Sequence, residues 1–196
     1  MARYKGMGMD KSFPICYNSY EFYESIGEDM PFSLLPRIRT EKLTDLTVQH
    51  LLDRKIRLLM LDFDNTIVPY TTNVPTEEME RWLRAMVESE IQVCVVSNSK
   101  KDRVKIFCAA YGIDCITHAA KPSPKGILTC LEKYGVPAKE AAIVGDQIFT
   151  DTLGGNRAGV TTVLVKAIDN HNFWLKARHV LEKPFIYLAR KRRLKP

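Results

Sequence analysis

No stretch of this chain is apolar over the length that a membrane-crossing helix needs, and its first residues, Met1 to Gly6, lead into no apolar signal core. A cytoplasmic protein is the expectation. Cysteine is sparse. The five residues, Cys16, Cys94, Cys108, Cys115 and Cys130, are odd in number, form no Cys-x-x-Cys pair and lie in or beside apolar segments. This speaks against a disulfide scaffold or a thiolate zinc site and for reduced core thiols. Histidine is equally uninformative: His50, His118, His171 and His179 have no spacing that suggests a metal site, and His118 reads as a surface loop residue. There are no internal repeats, and the single biased stretch is the basic end.

What is present suits a globular protein of one domain with extensions, 196 residues long with 45% hydrophobic and 27% charged residues. The net charge of +6 is unevenly placed. Lys176, Arg178, Lys183, Arg190, Lys191, Arg192, Arg193 and Lys195 face a single acid, Glu182, beyond residue 170, which leaves the rest near neutral. Three parts follow: an aromatic-rich arm over 1–41, a body over 42–168 and a basic tail over 169–196. The arm, with Tyr4, Phe13, Tyr17, Tyr20, Phe22, Tyr23 and Phe32, shows no clean periodicity and packs on the body or orders on a partner.

In the body, strand and helix signals alternate. Apolar runs at about 56–61 and 91–96 read as buried strands, a short third strand follows at about 114–117, and two more at 141–144 and 160–165. Thr47 can cap a short helix, and Thr76 caps a longer one whose Met79, Trp82, Leu83, Met86 and Val87 share a face. A helix carrying Val104, Phe107, Cys108 and Tyr111 closes at Gly112, and one carrying Ile127, Leu128, Leu131 and Tyr134 starts at Ser123-Pro124 and closes at Gly135. The alternation predicts an α/β fold: a three-layer, Rossmann-like parallel sheet with helices on both faces.

The strand ends carry the chemistry. Leu58 to Leu61 runs straight into Asp62 and Asp64, which are two apart on extended chain and so point into one small volume. Two anions that close call for a cation or a proton. The next strand ends in Ser97-Asn98, a loop before a helix carries Lys121, and Gly145 introduces Asp146 and Asp151. Singly each is a turn or a cap residue. Together, at one edge of a parallel sheet, they supply carboxylates for a divalent cation, and a lysine and a hydroxyl for phosphate oxygens.

Asp62-Phe-Asp64-Asn-Thr66, Ser97-Asn98, Lys121-Pro122 and Gly145-Asp146 through Asp151 resemble the four motifs of the haloacid dehalogenase superfamily, over about residues 45–166. The wording around Gly154-Gly155-Asn156-Arg157, with Leu34-Leu35-Pro36 upstream, is similar to the YqeG-type class III phosphatases, related to the phosphatidylglycerophosphate phosphatases. The resemblance implies that Asp62 is the nucleophile that forms an aspartyl phosphate and that Asp64 is its acid and base. It implies Mg²⁺ held by Asp62, the Asp64 carbonyl and Asp146, with Asp151 a ligand or the orienter of Lys121. It also implies that Ser97, Asn98 and Lys121 hold the transferring phosphoryl group. Ser99 departs from the branch, which tends to have a second Asn there.

The loops leave no room for a cap domain, so the site is expected to open to solvent and to suit a phosphate on something large. Phe173, Trp174, Leu175, Phe185, Ile186, Tyr187 and Leu188 interleave with the bases of the tail. That pattern suits an anionic membrane surface, and equally a helix docked on the body with a solvated basic end. A phosphorylated lipid, phosphatidylglycerophosphate, is the leading substrate. The alternatives are a nucleic acid 3′-end or small-molecule phosphatase, although no aromatic-rich nucleic-acid-binding sheet is evident, and a non-catalytic membrane- or ribosome-associated module. Oligomeric state is not legible.

Overall fold

The computed structural model describes residues 33–100, 102–169 and 173–194, with side chains from 180 onward in the last segment. The aromatic arm before residue 33 and the side chains of the apolar tail residues Phe173, Trp174 and Leu175 lie outside what it describes. The strands are β1 (Ile38–Arg39), β2 (Leu58–Leu61), β3 (Gln92–Val96), β4 (Asp114–Ile116), β5 (Ala141–Gly145) and β6 (Thr161–Leu164). All pair in parallel, in the order β1-β6-β5-β2-β3-β4. The helices are α1 (Val48–Leu52), α2 (Glu77–Val87), α3 (Arg103–Tyr111), α4 (Lys125–Tyr134), α5 (Leu153–Arg157) and α6 (Phe173–Leu188).

Alternation along the buried strands divides the core into two layers. Leu59, Leu61, Val93 and Val95 pack with Met79, Trp82, Leu83 and Met86 of α2 and with Val104 and Phe107 of α3. Leu58, Met60, Cys94 and Val96 face the other way, onto Ile127, Leu128 and Leu131 of α4. Burying both faces is what forces the strands to be apolar throughout. The caps behave as the sequence predicts: Thr47 Oγ1 accepts from His50 N and Thr76 Oγ1 from Met79 N, each at 3.2 Å. Gly112 and Gly135 close α3 and α4 with φ of 64° and 62°, a conformation that costs glycine nothing. Helix α4 begins one residue later than the cap signal suggests, at Lys125, whose N–H donates to Ser123 Oγ at 3.4 Å.

Two features escape the sequence pattern. Strand β1 is only two residues long, too short for any periodicity, and its place comes from parallel pairing of Ile38 with Val163 and Arg39 with Leu164. The second is the docking of the tail. Helix α6 and a short turn at Ala189–Arg192 bring Leu194 N within 2.9 Å of Arg39 O, and Glu182 and Ala189 are buried. The docked-helix reading of the tail is therefore realised, with Arg190, Lys191 and Arg192 left exposed. Cys94, Cys108, Cys115 and Cys130 are free thiols, as composition suggests.

Strand register positions the site. Leu61 lies opposite Val95 on one side and Val144 on the other, so the residues that follow β2, β3 and β5 leave at a common edge. From β2 the chain moves to β3 and β4, then returns to β5 on the other flank of β2. The crevice at such a reversal is where open α/β sheets bind ligands.

Candidate active site

Asp62 is fixed at the end of β2 by its N–H, which donates to Val144 O at 2.8 Å. Lys121 Nζ donates to Asp62 Oδ1 and to Val96 O, each at 2.7 Å, and pairs with Asp151 Oδ1 at 2.6 Å. The ammonium group thus has two hydrogen bonds and a second ion pair in a side chain that is 1% exposed. Asp146, directly after β5, completes the group: carboxylate oxygens of Asp62, Asp146 and Asp151 lie within 4.8 Å of one another, all buried.

Burial is the main force on these groups. It pushes the Asp62 carboxyl up to about 7, with the Asp151 charge adding to the rise and Lys121 opposing it. Burial also works against the Lys121 ammonium, but Asp151 and Asp62 outweigh it and hold the amine above its ordinary range. Three carboxylates against one ammonium leave an excess of buried negative charge. An all-oxygen donor set of this kind fits a hard divalent cation, which would neutralise it.

Asp151 reaches the cluster from an unusual element. Ile148–Thr152 is a π-helical turn in which both Asp151 N and Thr152 N donate to Gln147 O, at 3.0 and 3.2 Å. Such turns recur at functional sites. The Asp151 carboxylate also accepts from Gln147 N at 3.1 Å. A Cβ at Gly145 would collide with that carboxylate, so the glycine makes room for Asp151.

Ser97 is buried at the end of β3, and its Oγ accepts from Ser99 N at 3.0 Å. The Asn98 side chain is committed to protein: it donates to Lys121 O at 2.8 Å and accepts from Lys121 N at 2.7 Å. Its amide group positions Lys121. Close by, His118 and Ala120 carry φ of 55° and 58°, rare for residues with a Cβ.

Asp64 stands apart from the metal-type cluster. Its carboxylate pairs with Arg103 at 3.2 Å. Arg103, in the first turn of α3, also donates to the carbonyls of Pro69, Tyr70 and Thr72 at 3.0 to 3.3 Å, and its guanidinium lies 5.1 Å from the centre of the Phe63 ring. Sequence reasoning missed this residue. Its signal was a base at a helix N-terminus, where the dipole disfavours one.

These groups open into a cavity of about 330 Å³, lined by Asp62, Asp64, Ser97, Asn98, Lys121, Arg103, Tyr70, Ser99, Lys100, Gln147 and Thr150. One loop and one helix separate β2 from β3, and one helix separates Lys121 from β5, so no cap domain intervenes. Sheet order, the four polar loops and the uncapped cavity define a haloacid dehalogenase-type phosphatase. Comparison with known proteins narrows this. The family model described as mitochondrial PGP phosphatase matches residues 29–168, and the chain belongs to that family.

A Bacillus subtilis protein named "Probable phosphatase YqeG" is 34% identical over 131 residues, covering 67% of this chain and 76% of its own. The Arabidopsis thaliana phosphatidylglycerophosphate phosphatase 1, chloroplastic/mitochondrial, is 28% identical over 165 residues, 78% of this chain but only 44% of that protein. Among solved structures, a Vibrio cholerae protein assigned as a 3-deoxy-D-manno-octulosonate 8-phosphate phosphatase superposes with a TM-score of 0.50 at 15% identity. That match covers 80% of this chain and 98% of the other, a likeness of fold.

Proposed function

We propose that this protein is a Mg²⁺-dependent phosphomonoesterase whose substrate is phosphatidylglycerophosphate. The observation that carries the reading is Lys121 locked between Asp62 and Asp151, beside Asp146, at the floor of an uncapped cavity. Asp62, Asp146 and Asp151, with the Asp64 main-chain carbonyl, would hold Mg²⁺. When bound, it offsets the carboxylates and the charge on the phosphoryl oxygens.

An Asp62 oxygen attacks phosphorus, the bond from phosphorus to the ester oxygen breaks, and Asp64 gives its proton to the departing alkoxide. Water then loses a proton to Asp64 and attacks the aspartyl phosphate, which releases inorganic phosphate and restores Asp62. Through both steps Lys121, Ser97 Oγ and the Asn98 N–H hold the phosphoryl oxygens. Asp151 also orients Lys121.

The lipid assignment draws on the family and on the open cavity, which admits a headgroup still attached to a surface. It also draws on the face of α6 that carries exposed Val180, Leu181, Tyr187 and Leu188 beside Lys183 and Arg190 to Arg192. We place the protein at the cytoplasmic face of an anionic membrane, bound peripherally; no described helix is long and apolar enough to cross one. The test is phosphate release across a panel of lipid, nucleotide, sugar and nucleic acid 3′-phosphates with and without Mg²⁺. Release from phosphatidylglycerophosphate in mixed micelles, lost in Asp62→Asn, supports the reading. Release confined to soluble or nucleic acid phosphates overturns the lipid assignment, and no release from any ester overturns the enzyme.

A further inference from the structure

Beyond residue 170 the basic tail contains one acid, and the fold buries it: Glu182 is 2% exposed on a helix whose neighbours Leu181, Lys183 and Pro184 face solvent. A carboxylate taken out of water must be satisfied by donors. Glu182 Oε1 accepts from Ile148 N at 2.9 Å and from Phe149 N at 3.5 Å, and the Phe149 and Phe185 rings meet edge to face at 6.1 Å. Ile148 and Phe149 open the π-helical turn that carries Asp151.

From Glu182 the contacts run without a break to the reacting groups. The turn carries Asp151, whose carboxylate holds Gln147 N on one side and Lys121 Nζ on the other, and Lys121 holds Asp62. We infer that Glu182 is a positioning residue through which the C-terminal helix sets the geometry of the carboxylate–ammonium cluster, and with it the affinity for the divalent cation. This rests on the metal-site reading above. It makes the tail part of the active site rather than an appendage. The N-terminal N–H groups of a turn have no partner within it, and a charged acceptor fixes them far better than water does. Five consecutive residues of π-type winding are costly by themselves, so an external clamp decides whether Asp151 stays in place.

The experiment compares full-length wild type, Glu182→Ala, Glu182→Gln and Phe185→Leu, the last weakening helix packing while keeping the carboxylate. Amide hydrogen exchange on metal-free protein reads the turn directly, and calorimetric titration with MgCl₂ reads the cluster. In Glu182→Gln and Glu182→Ala, exchange should quicken roughly tenfold across residues 148–152, not only at the two amides that lose their acceptor. The dissociation constant for Mg²⁺ should rise about fivefold or more in Glu182→Ala and less in Glu182→Gln, which keeps a neutral acceptor. Phe185→Leu should leave it within about twofold of wild type.

Unchanged exchange at Asp151 and Thr152, or unchanged Mg²⁺ affinity in a folded Glu182 variant, overturns the inference. If Glu182→Ala does not fold, Glu182→Gln decides by the same two criteria. A wild type that binds no Mg²⁺ strikes the metal-site reading instead, and exchange on metal-free protein still decides whether Glu182 governs the turn.

Discussion

Asp62 is both the proposed nucleophile and an acid held far above its ordinary value of 3.8 by burial. Its neutral form is therefore favoured by the fold of the metal-free protein. Because the folded value lies above the unfolded one, its contribution to stability is complete below about pH 4 and is lost as pH rises through about 7. Asp62→Asn removes that titration. Metal-free wild type should lose melting temperature between about pH 4 and about pH 7 relative to Asp62→Asn, and parallel curves for the two proteins would contradict the assignment. The same variant should lower phosphate release on the order of a thousandfold or more while retaining its circular dichroism spectrum.

Arg103 gives a second expectation at this scale. It holds Asp64 and straps three carbonyls of the loop after β2, so its loss should weaken proton delivery to the leaving group. An alkyl ester needs that proton and a nitrophenyl ester hardly does. Arg103→Met should thus lose roughly a hundredfold on an alkyl phosphate and about tenfold less on the aryl one. Equal losses on both esters would make Arg103 merely structural.

At the scale of elements, the π-helical turn and the strand before it share one constraint, the absence of a side chain at position 145. Gly145→Ala should displace the Asp151 carboxylate and weaken Mg²⁺ binding and turnover together, at a stability cost of about 1–3 kcal/mol, measured by denaturant unfolding. A variant with full turnover would show that the turn can shift without harm. The glycine after a strand was plain in the sequence, but its purpose was not, because the clash comes from a residue six positions later that winds back. The central strands β2 and β5 were legible for a simple reason: burial on both faces writes unbroken apolar runs into the chain. Strand β1 was not legible, because two residues carry no period and its pairing partner lies over a hundred residues away.

For the whole molecule, Asn156 shows how distant stretches are tied. Its Nδ2 donates to Ser33 O at 2.7 Å and Leu35 O at 3.1 Å, and its Oδ1 accepts from Thr162 Oγ1 at 3.1 Å. The Leu34-Leu35-Pro36 and Gly-Gly-Asn-Arg stretches, which carried the resemblance separately, are thus in contact. Asn156→Ala should cost about 1–3 kcal/mol in denaturant unfolding and leave Mg²⁺ affinity unchanged, since the tie lies away from the cluster. A loss of metal binding with little loss of stability would reverse that assignment.

The sequence by itself determined the layered α/β architecture and the acids, lysine and hydroxyl of the cavity. Those residues sit at the ends of apolar runs, and a parallel sheet must deliver such ends to one edge. Only the tertiary structure decided which groups stand behind them. Arg103 on Asp64, Asn98 on the Lys121 main chain and Glu182 under the π-helical turn are contacts between residues 23 to 39 positions apart, made by loops and helix ends. No local period records such a meeting, because it is fixed by how the elements pack and not by what any one of them buries.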